Sequence, residues 1–298
     1  MIGSININCT NKCNMSCSYC YRKYQKKQDM NLSNKVDGLE QIKNSKISNI
    51  ILTGGEPTLS NQLENYVSFF DDKQRTILTN GLERLRNAEV FDNIIISFDG
   101  DEITMFNHRN INAEKYLQII DNINYYLKKR CQVGISTVIT KQNVELFDAW
   151  IINNPWIKKC NISLILVSDI DNNISMCLDQ NDLQKISNGI DNIINSLNYH
   201  IRISCNMISK RDYCDIFSNI NPERFAPEYN VMTGKFELFN YSFDSLFELE
   251  QQYCSILEEI HNKIDKYLLN KDENYLFDPY SVAERVMRDY KADNELCQ

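Results

Sequence analysis

The stretch CNMSCSYC, residues 13–20, carries Cys13, Cys17 and Cys20 in a Cys-x3-Cys-x2-Cys spacing. Thiolates are soft anionic ligands that suit zinc or an iron–sulfur cluster. Cys9 lies just upstream, but it falls in line with Ile5 and Ile7 on an apparent strand and so faces its buried side. Three readings are open. Three bare thiols in a loop would invite oxidation. A structural zinc wants four tight ligands, usually as two close cysteine pairs. A four-iron cluster held by three thiolates would leave one iron open, and an open metal position is what a catalytic centre keeps. The remaining seven of the eleven cysteines are scattered from Cys131 to Cys297 and read mostly as small buried hydrophobes.

The elements that must position these thiols alternate along the chain. Apolar runs at 4–10, 48–55, 75–81, 93–100, 132–140 and 161–169 read as strands. Amphipathic stretches at 32–44, 59–72, 81–90, 113–130, 144–154 and 183–198 read as helices. The apolar strands predict burial on both faces, as in a parallel sheet. The fold class is therefore α/β: a partial (β/α)6 TIM-like barrel over residues 1–200, with a small α+β cap over 201–298. Within the cap, 200–207 reads as a further strand, 235–241 as another, 244–269 as a long helix, and Asp278-Pro279 as the start of a last helix. In parallel α/β folds chemistry gathers at the C-terminal strand ends. There stand the cysteines, Gly54-Gly55-Glu56-Pro57, Thr79-Asn80-Gly81, and Ser97 with Asp99.

The composition narrows the partners. A formal net charge of -8 makes a nucleic-acid phosphate backbone a poor match. No apolar run approaches the roughly 18 residues of a membrane span, and the N-terminus lacks a signal-peptide layout. A cytoplasmic protein is expected, with its cysteines reduced.

With Tyr19 as the aromatic residue before Cys20, the cysteine stretch resembles the signature of the radical S-adenosylmethionine (SAM) superfamily. Gly54-Gly55-Glu56-Pro57 resembles that family's GGE motif, and Ser97-Phe98-Asp99-Gly100 its strand-4 Ser-x-Asp-Gly motif. The resemblance implies a 4Fe-4S cluster on Cys13, Cys17 and Cys20, with SAM as the fourth ligand of the open iron. It implies reductive cleavage of SAM to a 5'-deoxyadenosyl radical that takes hydrogen from a substrate, with electrons from a flavodoxin- or ferredoxin-type donor. Tyr19, Gly54, Gly55, Glu56, Pro57, Asn80, Ser97, Asp99, Thr137 and Leu166 would then surround SAM: Glu56 on its ammonium, Ser97 and Asp99 on its ribose or carboxylate, and Thr137 and Leu166 along the adenine.

Residues 95–143 further resemble radical SAM enzymes that modify peptides, although Asn107-His108-Arg109 departs from their spacing. This favours a precursor peptide as substrate, matured by cross-linking or epimerisation. The alternative is a small metabolite, with a non-catalytic iron–sulfur or zinc module behind both. No segment sized for a leader-binding domain precedes the first strand. The C-terminal third resembles a degenerate SPASM or twitch domain without its auxiliary-cluster cysteines. Cys214 reads first as a structural thiol and second as a hydrogen donor to a substrate radical. Arg22, Lys23, Lys26 and Lys27 read as a solvated loop, or as contacts to an anionic substrate. Phe236, Phe239, Tyr241 and Phe243 read first as core and second as lining of a substrate site. His108, His200 and His261 show no ligand spacing.

Overall fold

The computed structural model describes residues 2–20, 22, 36–167, 176–198, 201–217 and 225–295. Seven parallel strands follow one another across a sheet: β1 (Ser4–Asn8), β2 (Asn49–Thr53), β3 (Gln74–Thr79), β4 (Asn93–Ser97), β5 (Gln132–Ile139), β6 (Asn161–Leu166) and β7 (Arg202–Cys205). The crossovers carry α1 (Val36–Lys43), α2 (Leu63–Phe69), α3 (Glu102–Arg109), α4 (Ala113–Tyr126), α5 (Phe147–Asn153) and α6 (Gln180–Ser196). β7 does not return to β1, so the barrel stays open.

The strands alternate in burial. Ile5, Ile7, Ile50, Leu52, Ile94 and Ile96 are buried in one core with Leu39, Tyr66 and Ile119 of the helices. Their neighbours Ile51 and Ile95 are only half-buried. The apolar runs had predicted burial on both faces. An open barrel has no opposite wall, so its inner face keeps partial access to solvent.

Three further expectations change. The helix read over 81–90 is absent except for a 3-10 turn at Ala88–Val90. Side chains of α4 claim its backbone instead: Asn122 Nδ2 donates to the carbonyls of Gly81 and Leu82, Gln118 donates to Leu82, and Tyr126 OH accepts from Leu85 N. α3 is a further helix, placed between β4 and α4 where the sequence pattern announces none. Finally, residues after 200 join the main sheet at both edges. β7 pairs with β6, while β9 (Glu228–Asn230) lies parallel to β1 and continues into the antiparallel strands β10 (Lys235–Leu238) and β11 (Tyr241–Phe243). The strands expected in a separate α+β cap thus extend the main sheet, and Phe236 and Phe243 are buried on them. A short ladder of β8 (Ile208–Ser209) with β12 (Leu276–Phe277), together with α7 (Lys210–Phe217), α8 (Leu246–Leu268) and α9 (Pro279–Glu295), completes the chain. Among the described residues, no helix is long and apolar enough to cross a membrane.

Candidate active site

Backbone hydrogen bonds pin the loop after β1 to the loop after β2. Cys9 N donates to Thr53 O at 2.8 Å, Gly55 N to Thr10 O at 2.6 Å and Glu56 N to Lys12 O at 2.7 Å. The glycines make this approach possible. A Cβ on Gly54 would stand 2.3 Å from Thr10 O, and one on Gly55 would stand 2.3 Å from Lys12 O. Gly54 also adopts φ +144, which L side chains rarely take. The two glycines thus bring the backbone after β2 against the cysteine loop itself.

Glu56 is buried and joins three loops. Its Oε1 accepts from Thr58 N, Thr58 Oγ1 and Thr79 Oγ1, and its Oε2 accepts from Asn80 N at 2.7 Å. Burial raises its carboxyl above the usual range, against the bonds from Thr58, Asn80 and Thr79. Asn80 passes the connection on, its Nδ2 donating to Asn14 Oδ1 at 2.7 Å between Cys13 and Cys17. Pro57 starts the 3-10 turn that Glu56 caps.

On the other side of the cysteines, α3 folds back over them. Asp101 caps its start by accepting from Thr104 N, and Asn110 ends it in the left-handed region at φ 53. Met105, His108 and Arg109 share its buried face. The His108 carbonyl accepts from Ser18 N at 2.8 Å, which ties the helix to the loop. Asp99 is fully buried and collects four donors: Tyr19 OH at 2.5 Å, Arg109 Nη2 at 2.8 Å, Val138 N at 3.0 Å and His108 Nδ1 at 3.3 Å. His108 Nε2 lies 3.1 Å from Thr140 Oγ1. Burial alone would push the Asp99 carboxyl up. The Arg109 guanidinium and the bonds from His108, Arg109 and Tyr19 outweigh it and hold it at about 2. Asp99 was expected to reach a ligand. Its carboxylate is engaged by four protein donors, two of them returned to it by α3.

Cys13, Cys17 and Cys20 are half-buried on this loop, whereas Cys9 is fully buried with Sγ 3.4 Å from Ile7 O. Burial pushes the Cys9 thiol far up, and it raises the Cys17 thiol to about 11 against the pull of Arg109. Among the described residues no three His, Cys, Asp or Glu side chains converge to hold a single metal ion. A four-iron cluster asks for something wider, since each thiolate meets a different iron. The donor set fits it: three half-buried thiols, with two buried polar atoms lacking a hydrogen-bond partner, Asn11 Oδ1 and Arg109 Nε, on and beside their loop.

The remaining residues sort by strand parity. Ser97 is half-buried on the inner face, in register with Ser136, Ser163 and Ser204. Thr137 and Leu166 are buried on the opposite face, where Thr137 Oγ1 donates to Phe98 O. The half-buried positions beside them are Ser136, Val138, Ile165 and Val167. A one-residue shift along a strand reverses the face, so the two positions read from sequence point away from the inner side. Leu166 does line a cavity of about 120 Å³ with Val167, Cys177, Asp278 and Arg285 at the C-terminal end of β6. A larger cavity of about 440 Å³, beside Lys158, Lys159 and Arg202, opens at the N-terminal strand ends, far from the thiols. Arg22 pairs with Glu228 at 2.7 Å and so links the cysteine loop to β9. Lys23, Lys26, Lys27 and His200 lie outside the described residues, as does the side chain of Cys214 on α7. His261 bonds Tyr213 within the C-terminal part.

A family model for the radical SAM superfamily matches residues 7–150. Those residues are a radical SAM domain. Radical SAM proteins use a 4Fe-4S cluster and SAM. An uncharacterized protein of Methanocaldococcus jannaschii is 29% identical over 162 residues, 48% of this chain and 54% of its own length. The 7-carboxy-7-deazaguanine synthase of Clostridium acetobutylicum is 35% identical over 86 residues, 27% of this chain and 39% of that protein. The chain thus matches about half or less of the length of these relatives. Among solved structures, Streptococcus suis SuiB bound to S-adenosylmethionine aligns with a TM-score of 0.63 at 15% identity, covering 79% of this chain and 60% of that one. The enzyme anSMEcpe with bound S-adenosylmethionine and a peptide aligns with a TM-score of 0.55 at 16% identity, covering 68% and 63%. These two likenesses are of fold. Of the bonds to the cysteine loop described above, the Arg22–Glu228 pair alone reaches outside residues 7–150.

Proposed function

We propose that this chain is a radical SAM enzyme. Cys13, Cys17 and Cys20 would hold a 4Fe-4S cluster and leave one iron for SAM. When bound, that pair supplies one-electron cleavage of the sulfonium and, through it, hydrogen-atom abstraction from a substrate. The protein's own part is positioning. The observation that carries this reading is the cysteine loop held from two sides, by the Gly55 and Glu56 amides and by the α3 carbonyl of His108. A loop fixed this way presents three thiols without rearrangement. Ser97 and its serine row on the inner face supply hydroxyls for a polar cosubstrate. Glu56 keeps spare acceptor capacity on Oε2 for an ammonium group.

For the substrate we infer a peptide. Support comes from the fold shared with SuiB, solved also with its precursor peptide SuiA, and with anSMEcpe, solved with a peptide. A small metabolite is the second reading, favoured by the stretch shared with the deazaguanine synthase. The test is substrate-dependent 5'-deoxyadenosine formation under anaerobic reduction, with pooled peptides and with small-molecule extracts as separate arms. Peptide-stimulated turnover accompanied by a mass or stereochemical change supports the first reading. Stimulation by the small-molecule arm alone replaces it with the second.

A further inference from the structure

Arg109 is a buried cation beside the cluster thiols. Its Nη2 donates to Asp99 Oδ1 at 2.8 Å, its Nη1 lies 3.9 Å from Cys17 Sγ, and its guanidinium stands 5.6 Å from the centre of the Tyr19 ring. Its Nε is buried and has no partner. Arginine keeps its charge in any protein setting. Asp99 orients the fork, with two of its other donors, Val138 N and His108, fixing the carboxylate from β5 and α3. The result is an oriented ion pair whose positive end points at sulfur.

We propose that Arg109 sets the reduction potential of the 4Fe-4S cluster, with Asp99 as the group that positions and partly offsets its charge. This rests on the radical SAM reading of the site. Reduction adds one negative charge to the cluster, and a nearby fixed cation stabilises that form and raises the potential. Coulomb attraction at ~4 Å in a site of effective dielectric ~20 exceeds a tenfold effect, even after Asp99 takes part of it back. The sequence hides this role, because Arg109 sits ten positions after Asp99 and meets Cys17 only through the return of α3.

The two residues push in opposite directions, and the test uses this. The native chain is first reconstituted anaerobically and its iron counted. Midpoint potentials of native, Arg109→Gln and Asp99→Asn proteins are then measured by redox titration of the reduced-cluster electron paramagnetic resonance signal. Arg109→Gln should lower the reduced-to-oxidised ratio at fixed potential by about tenfold or more, each tenfold being about 59 mV for a one-electron couple. Asp99→Asn frees the guanidinium charge and should raise the ratio severalfold. A purely structural role would lower cluster occupancy without moving the two potentials apart. Shifts of less than twofold, or shifts of the same sign, overturn the proposal. If only one variant loads a cluster, its sign alone decides. A native chain that loads no cluster overturns the functional reading first, and this inference with it.

Discussion

Replacing Glu56 with alanine removes one acceptor from four donors. Two of them, on Thr58, are on a half-buried residue where water can take over. The other two, Asn80 N and Thr79 Oγ1, belong to buried residues. A buried donor left unpaired costs about 1–3 kcal/mol, so the pair costs about 2–6 kcal/mol. Relief from burying a carboxylate returns part of this, and a net loss of about 2–4 kcal/mol is expected. That is a large share of a typical stability of about 5–15 kcal/mol. In a chain of this length it should lower the melting temperature by about 4–8 °C. Thermal and urea unfolding of the metal-free protein measure it, with Thr58→Ala as the control that removes only the half-buried hydroxyl donor and leaves the backbone N–H in place. The pH adds a second check. Burial raises the Glu56 pKa in the folded state, so its contribution is fully present below the unfolded value of about 4.3 and falls as pH rises through the folded one. The gap between native and Glu56→Ala proteins should therefore narrow on going up from acid. A Glu56→Ala protein no less stable than Thr58→Ala would refute the hub assignment.

Asp99 titrates with the opposite sign. Its folded pKa of about 2 lies below the ordinary 3.8, so its contribution is present above about pH 4 and lost as pH falls toward 2. The difference corresponds to about 2 kcal/mol, and urea midpoints between pH 5 and 2.5 should show a shallower acid limb in Asp99→Asn. Gly55→Ala places a Cβ 2.3 Å from the Lys12 carbonyl. It should retain less iron after reconstitution while keeping native helical circular dichroism, and full iron loading would argue against the clasp.

The local motifs were legible because the chain places their residues together. The cysteine loop, the double glycine and the Ser-x-Asp-Gly end each announce themselves within a few residues. Glu56 was legible as a residue but not as a hub, since Thr79 and Asn80 come from the next strand. Arg109 and His108 were missed because α3 is short and their partners lie across α3 in Tyr19, Asp99 and Thr140. Thr137 and Leu166 lie on the buried face of their strands, and apolar runs conceal in the sequence which face is which. The helix expected at 81–90 had the right periodicity, but Asn122 and Gln118 offered its carbonyls a better arrangement. The return of β9 to β1 was invisible: a three-residue strand carries little pattern, and its pairing spans most of the chain.

The most direct measurement is on protein purified without oxygen and reconstituted with iron and sulfide, then given SAM and dithionite. A single radical SAM cluster predicts about four irons per chain and 5'-deoxyadenosine formation, with both lost when Cys17 is changed to alanine. Less than one iron per chain, or a loaded cluster that forms no 5'-deoxyadenosine, would contradict it.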